Sequence, residues 1–196
     1  MGLSQPQHRE RMSMKPTIEI EVQGRNKSYP LGITSAEILQ ENPVKDGRDV
    51  VAAIVNGNAV DLSTPLTESA RLEFVPANSP LGLEILRHST AHVMAQAVKE
   101  LFPDVQITIG PAIADGFYYD FDTSRPFTPG DLEKIEGRMA EIVKGRLPFH
   151  RAEMSRGEAI RLFHDKGENY KVELINGIDA AEVSVYSQGD FTDLCR

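Results

Sequence analysis

The sequence predicts an α+β protein of two domains, a small β-grasp (ubiquitin-like) module followed by a larger α+β domain. Three observations predict it. Residues 15–77 run strand, strand, helix, strand, strand, strand. The stretch "PANSPLG" (76–82) is a linker rich in Pro, Gly and small polar residues. Beyond it, helical and strand-like patterns are mixed, without repeats or low-complexity segments.

Element by element, "TIEIEVQG" alternates Ile18, Ile20 and Val22 with Glu19, Glu21 and Gln23, the period of a half-buried strand. A short second strand is expected near Ser28 to Leu31, across the turn-rich "GRNK". Thr34 and Glu37 fit a capping box for a brief helix, Ala36 to Glu41, ended by Asn42-Pro43. Asn56-Gly57 between apolar runs is a strong hairpin signal, and "RLEFVP" closes the module with Leu72 and Phe74 inward. No histidine, cysteine or Gly-rich phosphate loop lies within 15–77, so this module reads as a binding or docking domain.

In the second domain, 78–196, Ser79 and Pro80 suit the N-cap and first position of a helix that stops at Pro103. "VQITIG" and "GFYYDFD" are strand-like, and "TPGDLEKIEGRMAEIVKG" is a helix capped by Thr128. Its Leu132, Ile135, Met139, Ile142 and Val143 stand at helical spacing. "LPFHRAEMS" reads as extended, "RGEAIRLFHDKG" as a short helix, and "AEVSVYSQGDFTDLC" as strand, turn, strand. Residues 1–14 form a flexible tail or an appended remnant, with no apolar segment of a secretory signal.

Composition narrows the function classes. The 21 Lys and Arg against 29 Asp and Glu give a net charge of −8, so the chain lacks the cationic excess of a non-specific nucleic-acid binder. Any nucleic acid must be met through a local patch or through other domains. No apolar run is long enough to span a membrane, and one cysteine cannot form an internal disulfide, which suits the cytoplasm.

The chemistry-bearing residues start with "LRHSTAHVMAQ". On a helix, Leu86, Thr90, Val93, Ala97 and Leu101 share one stripe, while His88 and His92 lie about 40° apart on the other side with Ala95 and Lys99. Such a pair is solvent-exposed, or a metal site completed by Cys195, His150, His164 or a carboxylate, or an acid–base pair. Spacing alone leaves these three readings open.

Four separated motifs, "RHSTAHVMAQAVKELFP", "IGPAIADGFYYDFD", "GENYKVELI" and "DLCR", stand in an order and spacing that resemble the N-terminal editing domain of bacterial threonyl-tRNA synthetases. The β-grasp module before them resembles the TGS domain of that family. Editing domains of the alanyl type share the two-histidine helix and a later C-x-x-x-H, but the "GPAIADGFYYDFD" stretch and the β-grasp neighbour favour the threonyl family. The resemblance implies hydrolysis of seryl-tRNA charged in error. A missing methyl gives a binding site only about 1–3 kcal/mol of discrimination, which is why a second, hydrolytic site is needed.

Carried over by motif, His88, His92, Lys171, Cys195 and Asp193 are the implied catalytic group, Tyr119 lines the substrate pocket, and no metal is implied at this site. His88 is implied to orient or deprotonate the water, Lys171 to stabilise developing negative charge, and Cys195 to shape the pocket. No cofactor is implied for this region. ATP, Mg and a zinc of the catalytic core belong to the full-length enzyme. The implied partners are the 3′ aminoacyl end of tRNA, the remainder of the synthetase and, through its catalytic core, a second copy. In the family a Gly-Pro-His follows the Cys-Arg, whereas this sequence stops at Arg196. It is therefore expected to be an N-terminal fragment that cannot aminoacylate and whose editing is impaired by loss of that histidine. The alternatives are a non-catalytic RNA- or nucleotide-binding module and a zinc-dependent, free-standing deacylase of the alanyl type.

Overall fold

The computed structural model describes residues 16–44 and 49–195, and the tail expected over 1–14 lies outside them. The chain divides into two compact units, Met1–Leu83 and Glu84–Arg196. The fold is α+β throughout.

The first unit holds β1 (Thr17–Val22), β2 (Arg25–Pro30), α1 (Ser35–Glu41), β3 (Val50–Val55), β4 (Asn58–Val60) and β5 (Ala70–Pro76). They form one sheet in the order β2-β1-β5-β3-β4, with β1 and β5 parallel and the other pairs antiparallel. The β1 alternation holds: Ile18, Ile20 and Val22 turn inward onto Ile38 of α1 and Leu72 of β5, while Glu19 and Glu21 face water. Leu72 is buried and Phe74 only half-buried. The second strand starts earlier than expected, at Arg25. The reversal is made by Gln23 and Gly24, both at positive φ (51° and 73°), so "RNK" is free to pair along β1. Asn56 (φ 50°) and Gly57 (φ 87°) make the predicted tight turn between β3 and β4. Thr34 and Glu37 form the predicted capping box on α1.

The division between the units falls within α2 (Pro80–Leu101). Ser79 caps it, its Oγ accepting from Gly82 N at 3.0 Å. Two small antiparallel pairs follow, one nested in the other: β6 (Gln106–Ile107) with β9 (Phe121–Asp122), and β7 (Ala112–Ile113) with β8 (Gly116–Phe117). Then come α3 (Pro129–Gly145), β10 (His150–Ser155), α4 (Arg156–Asp165), α5 (Asn169–Asn176), β11 (Glu182–Gln188) and β12 (Phe191–Cys195). The last three strands form an antiparallel sheet in the order β10-β11-β12.

Two readings of this region need correction, and one helix was not anticipated. The expected apolar stripe does not define the buried side of α2: Leu86 is exposed, whereas Ala91, His92, Val93, Ala95, Gln96, Ala97 and Val98 are all buried. The middle turns of α2 are covered nearly all round, so the histidine side is interior too. On α3, Ile135, Met139 and Ile142 pack inward, but Leu132 and Val143 face solvent at the edges of the stripe. "NYKVELIN" is a helix, α5, where the sequence offered no helix signal. Its N-cap Glu168 makes no side-chain cap bond, and Gly167 (φ 72°) turns the chain into it.

Candidate functional site

The site lies within the second unit and is assembled from α2, α5, β12 and the loop between β8 and β9. In the β11–β12 ladder, Tyr186 stands opposite Asp193 and Ser184 opposite Cys195. Directly opposed residues share a face. Asp193 and Cys195 therefore point one way, while Val183, Val185 and Leu194 point the other, into the apolar core with Phe163 and Ile175.

Asp193, 1% exposed, is the centre of the cluster. Its Oδ2 accepts from His92 Nδ1 at 2.8 Å and from the Tyr119 hydroxyl at 2.7 Å. Its Oδ1 accepts from Lys171 Nζ at 2.6 Å and from the Leu194 backbone N–H at 2.8 Å. A carboxylate offers about four acceptor positions, so this one is saturated. Burial works against its charge. The His92 hydrogen bond and the Lys171 ammonium overcome that, holding the carboxyl down at about 2.

Lys171 is 3% exposed on the first turn of α5. Besides Asp193, its Nζ donates to the Thr108 carbonyl at 2.7 Å and to the Tyr119 hydroxyl at 2.9 Å. All three ammonium N–H bonds are thus taken. Tyr119 accepts from Lys171 and donates to Asp193. Burial, then the Asp193 carboxylate, push its phenol far above the ordinary range. Its ring lies against Gly110, where a Cβ would stand 2.0 Å from the ring's Cδ2, so only glycine leaves room for it.

The Asp193 bond fixes His92 with its proton on Nδ1 and its Nε2 lone pair turned toward His88. His88 Nε2 lies 3.1 Å from His92 Nε2 and 3.1 Å from Cys195 Sγ. Burial, then the adjacent His92, push His88 below its usual 6.5, against the pull of Asp193 and Glu84. Tyr186 stacks on His92, with ring centroids 5.9 Å apart and planes at 24°.

All six residues singled out from the sequence, His88, His92, Tyr119, Lys171, Asp193 and Cys195, therefore meet in one cluster. Of the candidate third metal ligands, Cys195 joins the histidine pair, and the ligand atoms of His88, His92 and Cys195 lie within 4.8 Å of one another. Nitrogen and thiolate donors so placed suit a zinc-type ion, and the carboxylate behind His92 is the usual outer-shell partner. His150 and His164 are exposed and stand outside that group. Sequence reasoning missed Tyr186, which looks like any alternating strand residue, and the Thr108 carbonyl, which carries no side-chain signal.

No protein-family model matches the chain. Curated relatives do. The threonine–tRNA ligase of Citrifermentans bemidjiense is 51% identical over 173 residues, 88% of this chain and 27% of its own length. That of Syntrophotalea carbinolica is 59% identical over 151 residues, 76% of this chain and 24% of its own length. That of Desulforamulus reducens is 49% identical over 173 residues, again 88% and 27%. The chain spans about a quarter of the length of the curated relatives it matches. With about half of its residues identical across 88% of its length, the chain is homologous to one stretch of the threonyl-tRNA synthetases.

Proposed function

We propose that the second unit hydrolyses the ester of seryl-tRNA(Thr), removing serine attached in error. The observation that supports this most is the meeting of six residues from separated motifs, in which His92, Tyr119 and Lys171 bond the buried Asp193 carboxylate and His88 links His92 to Cys195. Asp193, with all its acceptor positions filled, has none left for substrate and acts as organiser. It orients His92, whose Nε2 accepts from His88 Nε2–H; that proton is shared with Cys195 Sγ. This leaves Nδ1 of His88, neutral at pH 7, to take a proton from the attacking water. Lys171, its N–H bonds committed, contributes charge rather than a direct hydrogen bond to the developing oxyanion. Tyr119 ties the two together, and Cys195 closes the wall beside His88.

In this reading a full-length protein joins threonine to tRNA(Thr) in the cytoplasm. It does so with ATP, Mg²⁺ and a zinc of its catalytic core, and it pairs with a second copy through that core. The tRNA 3′ end moves between the two activities. Among the described residues no helix is long and apolar enough to cross a membrane.

The test is a chimaera in which this chain replaces the matching region of the Citrifermentans relative. The chimaera is expected to release serine from seryl-tRNA(Thr) far faster than threonine from threonyl-tRNA(Thr). Serine release no faster than in buffer would sink the proposal. A second reading, a zinc-dependent deacylase, is favoured by the close grouping of His88, His92 and Cys195 donor atoms. Stoichiometric zinc in the purified chain, with activity lost on chelation and restored by zinc, would move the assignment there.

A further inference from the structure

A second, partly buried ion pair stands beside the site, and nothing in the hydrolytic scheme uses it. Glu168, 6% exposed, is the N-cap of α5 yet does not cap it. Its carboxylate instead turns away: Oε1 pairs with Lys99 Nζ at 2.7 Å, and Oε2 accepts from the Ile107 backbone N–H at 3.4 Å. Lys99 Nζ also donates to the Val105 carbonyl at 3.0 Å. Both ends of this pair connect to the site. Lys99 lies two turns beyond His92, on the same side of α2. Glu168 lies one turn before Lys171, whose backbone N–H bonds the Glu168 carbonyl at 3.1 Å. Ile107 adjoins Thr108, the carbonyl that holds Lys171 Nζ.

The contacts therefore close a ring. His92 of α2 grips Asp193, Asp193 grips Lys171 of α5, and Glu168 at the start of α5 grips Lys99 of α2. Two carboxylates are clamped to one helix side, and Lys171 is carried by the second while it neutralises the first. A helix of eight residues without a side-chain cap has little intrinsic stability, so its register against α2 must come from such contacts.

We infer that Lys99 and Glu168 are positioning residues, a clamp that sets the first turn of α5 so that Lys171 reaches Asp193, Tyr119 and the Thr108 carbonyl. The inference rests on the hydrolase reading for its catalytic consequence but not for its structural one. Neither residue touches the His88–Cys195 side of the site, where the water is activated.

Two readouts test it. The first needs no activity: competitive acylation of lysine amines, followed residue by residue by mass spectrometry on the folded chain. Glu168→Gln and Lys99→Met are each expected to raise labelling of Lys171 by at least about tenfold, as local opening exposes it. Lys134 and Lys144, both exposed on α3, label fully in every variant and serve as the internal reference. The double reversal, Lys99→Glu with Glu168→Lys, is expected to restore much of the protection. The second readout is kinetic, in the chimaera: Glu168→Gln lowers kcat for serine release by about a hundredfold with KM little changed, the signature of displaced machinery. Lys171 as protected in both single variants as in the parent chain would overturn the clamp. So would far-UV ellipticity in the single variants falling to that of the unfolded chain, which marks general unfolding. An inactive parent chimaera would overturn the hydrolase reading and leave the labelling result to decide the clamp.

Discussion

Asp193 carries the site's electrostatics, and its protonation sets an acid limit on stability. Its folded value, about 2, lies below the usual 3.8, so the contribution is complete above about pH 4 and drains away as pH falls toward 2. The size is on the order of 2 kcal/mol. His88, lowered from 6.5, adds a limb of the same sign: the fold favours its neutral form, so acidification below the ordinary histidine range costs stability. Urea unfolding from pH 8 to pH 3 should therefore show stability falling on acidification. Asp193→Asn should flatten the lowest part of that curve. Gly110 gives a second test at this scale. Gly110→Ala pushes the Tyr119 ring off its seat, and loss of the Tyr119–Asp193 bond is expected to slow serine release by at least about tenfold. A crystal structure of the variant with Tyr119 unmoved would contradict this. The histidine pair was legible because helical spacing set it apart and the motifs tied it to "NYKV" and "DLC". Gly110 was not, because a glycine that makes room for a ring leaves no mark in the sequence.

At the scale of elements, polar caps define the helix starts. Thr34 with Glu37, Thr128 with Asp131 and Ser155 with Glu158 all form reciprocal capping boxes. Asp131 also accepts from Arg125 Nη1 at 2.7 Å. Thr128→Ala should cost about 1 kcal/mol in urea unfolding and leave serine release unchanged, since α3 contributes no group to the site. The Thr34–Glu37 box stood out in the sequence, and Thr128 was read as a cap without its Asp131 partner. Helix α5 lacked that signature because its N-cap carboxylate is spent on Lys99 and Ile107. Its position is a tertiary effect, invisible to local pattern, so the element that carries Lys171 was not assigned from the sequence. The outward Leu132 and Val143 likewise could not be told from Ile135 and Ile142 without knowing which sector of α3 is covered.

At the scale of the whole molecule, acidity constrains how nucleic acid is met. A chain with net charge −8 neutralises few phosphates, so few counterions are released on binding. Serine release by the chimaera should lose less than about tenfold in kcat/KM between 50 and 200 mM salt if only the aminoacyl end is engaged by these residues. The first unit carries one apolar core, around Ile20, Ile38 and Leu72, and the second carries two, around Val98 with Ile135 and around Phe163 with Ile175; the site draws only on the second unit. The α+β class was readable from strand alternation and the mixed helical patterns, whereas the division between the units falls inside α2 rather than in the Pro- and Gly-rich stretch. The closed ring of ion pairs was not, since its members are separated by up to about a hundred residues.

The most direct test of the central claim is single-turnover hydrolysis of seryl-tRNA(Thr) and threonyl-tRNA(Thr) by the chimaera, set beside its His88→Ala and Asp193→Asn variants. The account predicts fast release of serine, slow release of threonine, and a loss of at least about a hundredfold for serine in each variant at unchanged tRNA affinity. Equal rates for the two esters, or variants as fast as the parent, would contradict it.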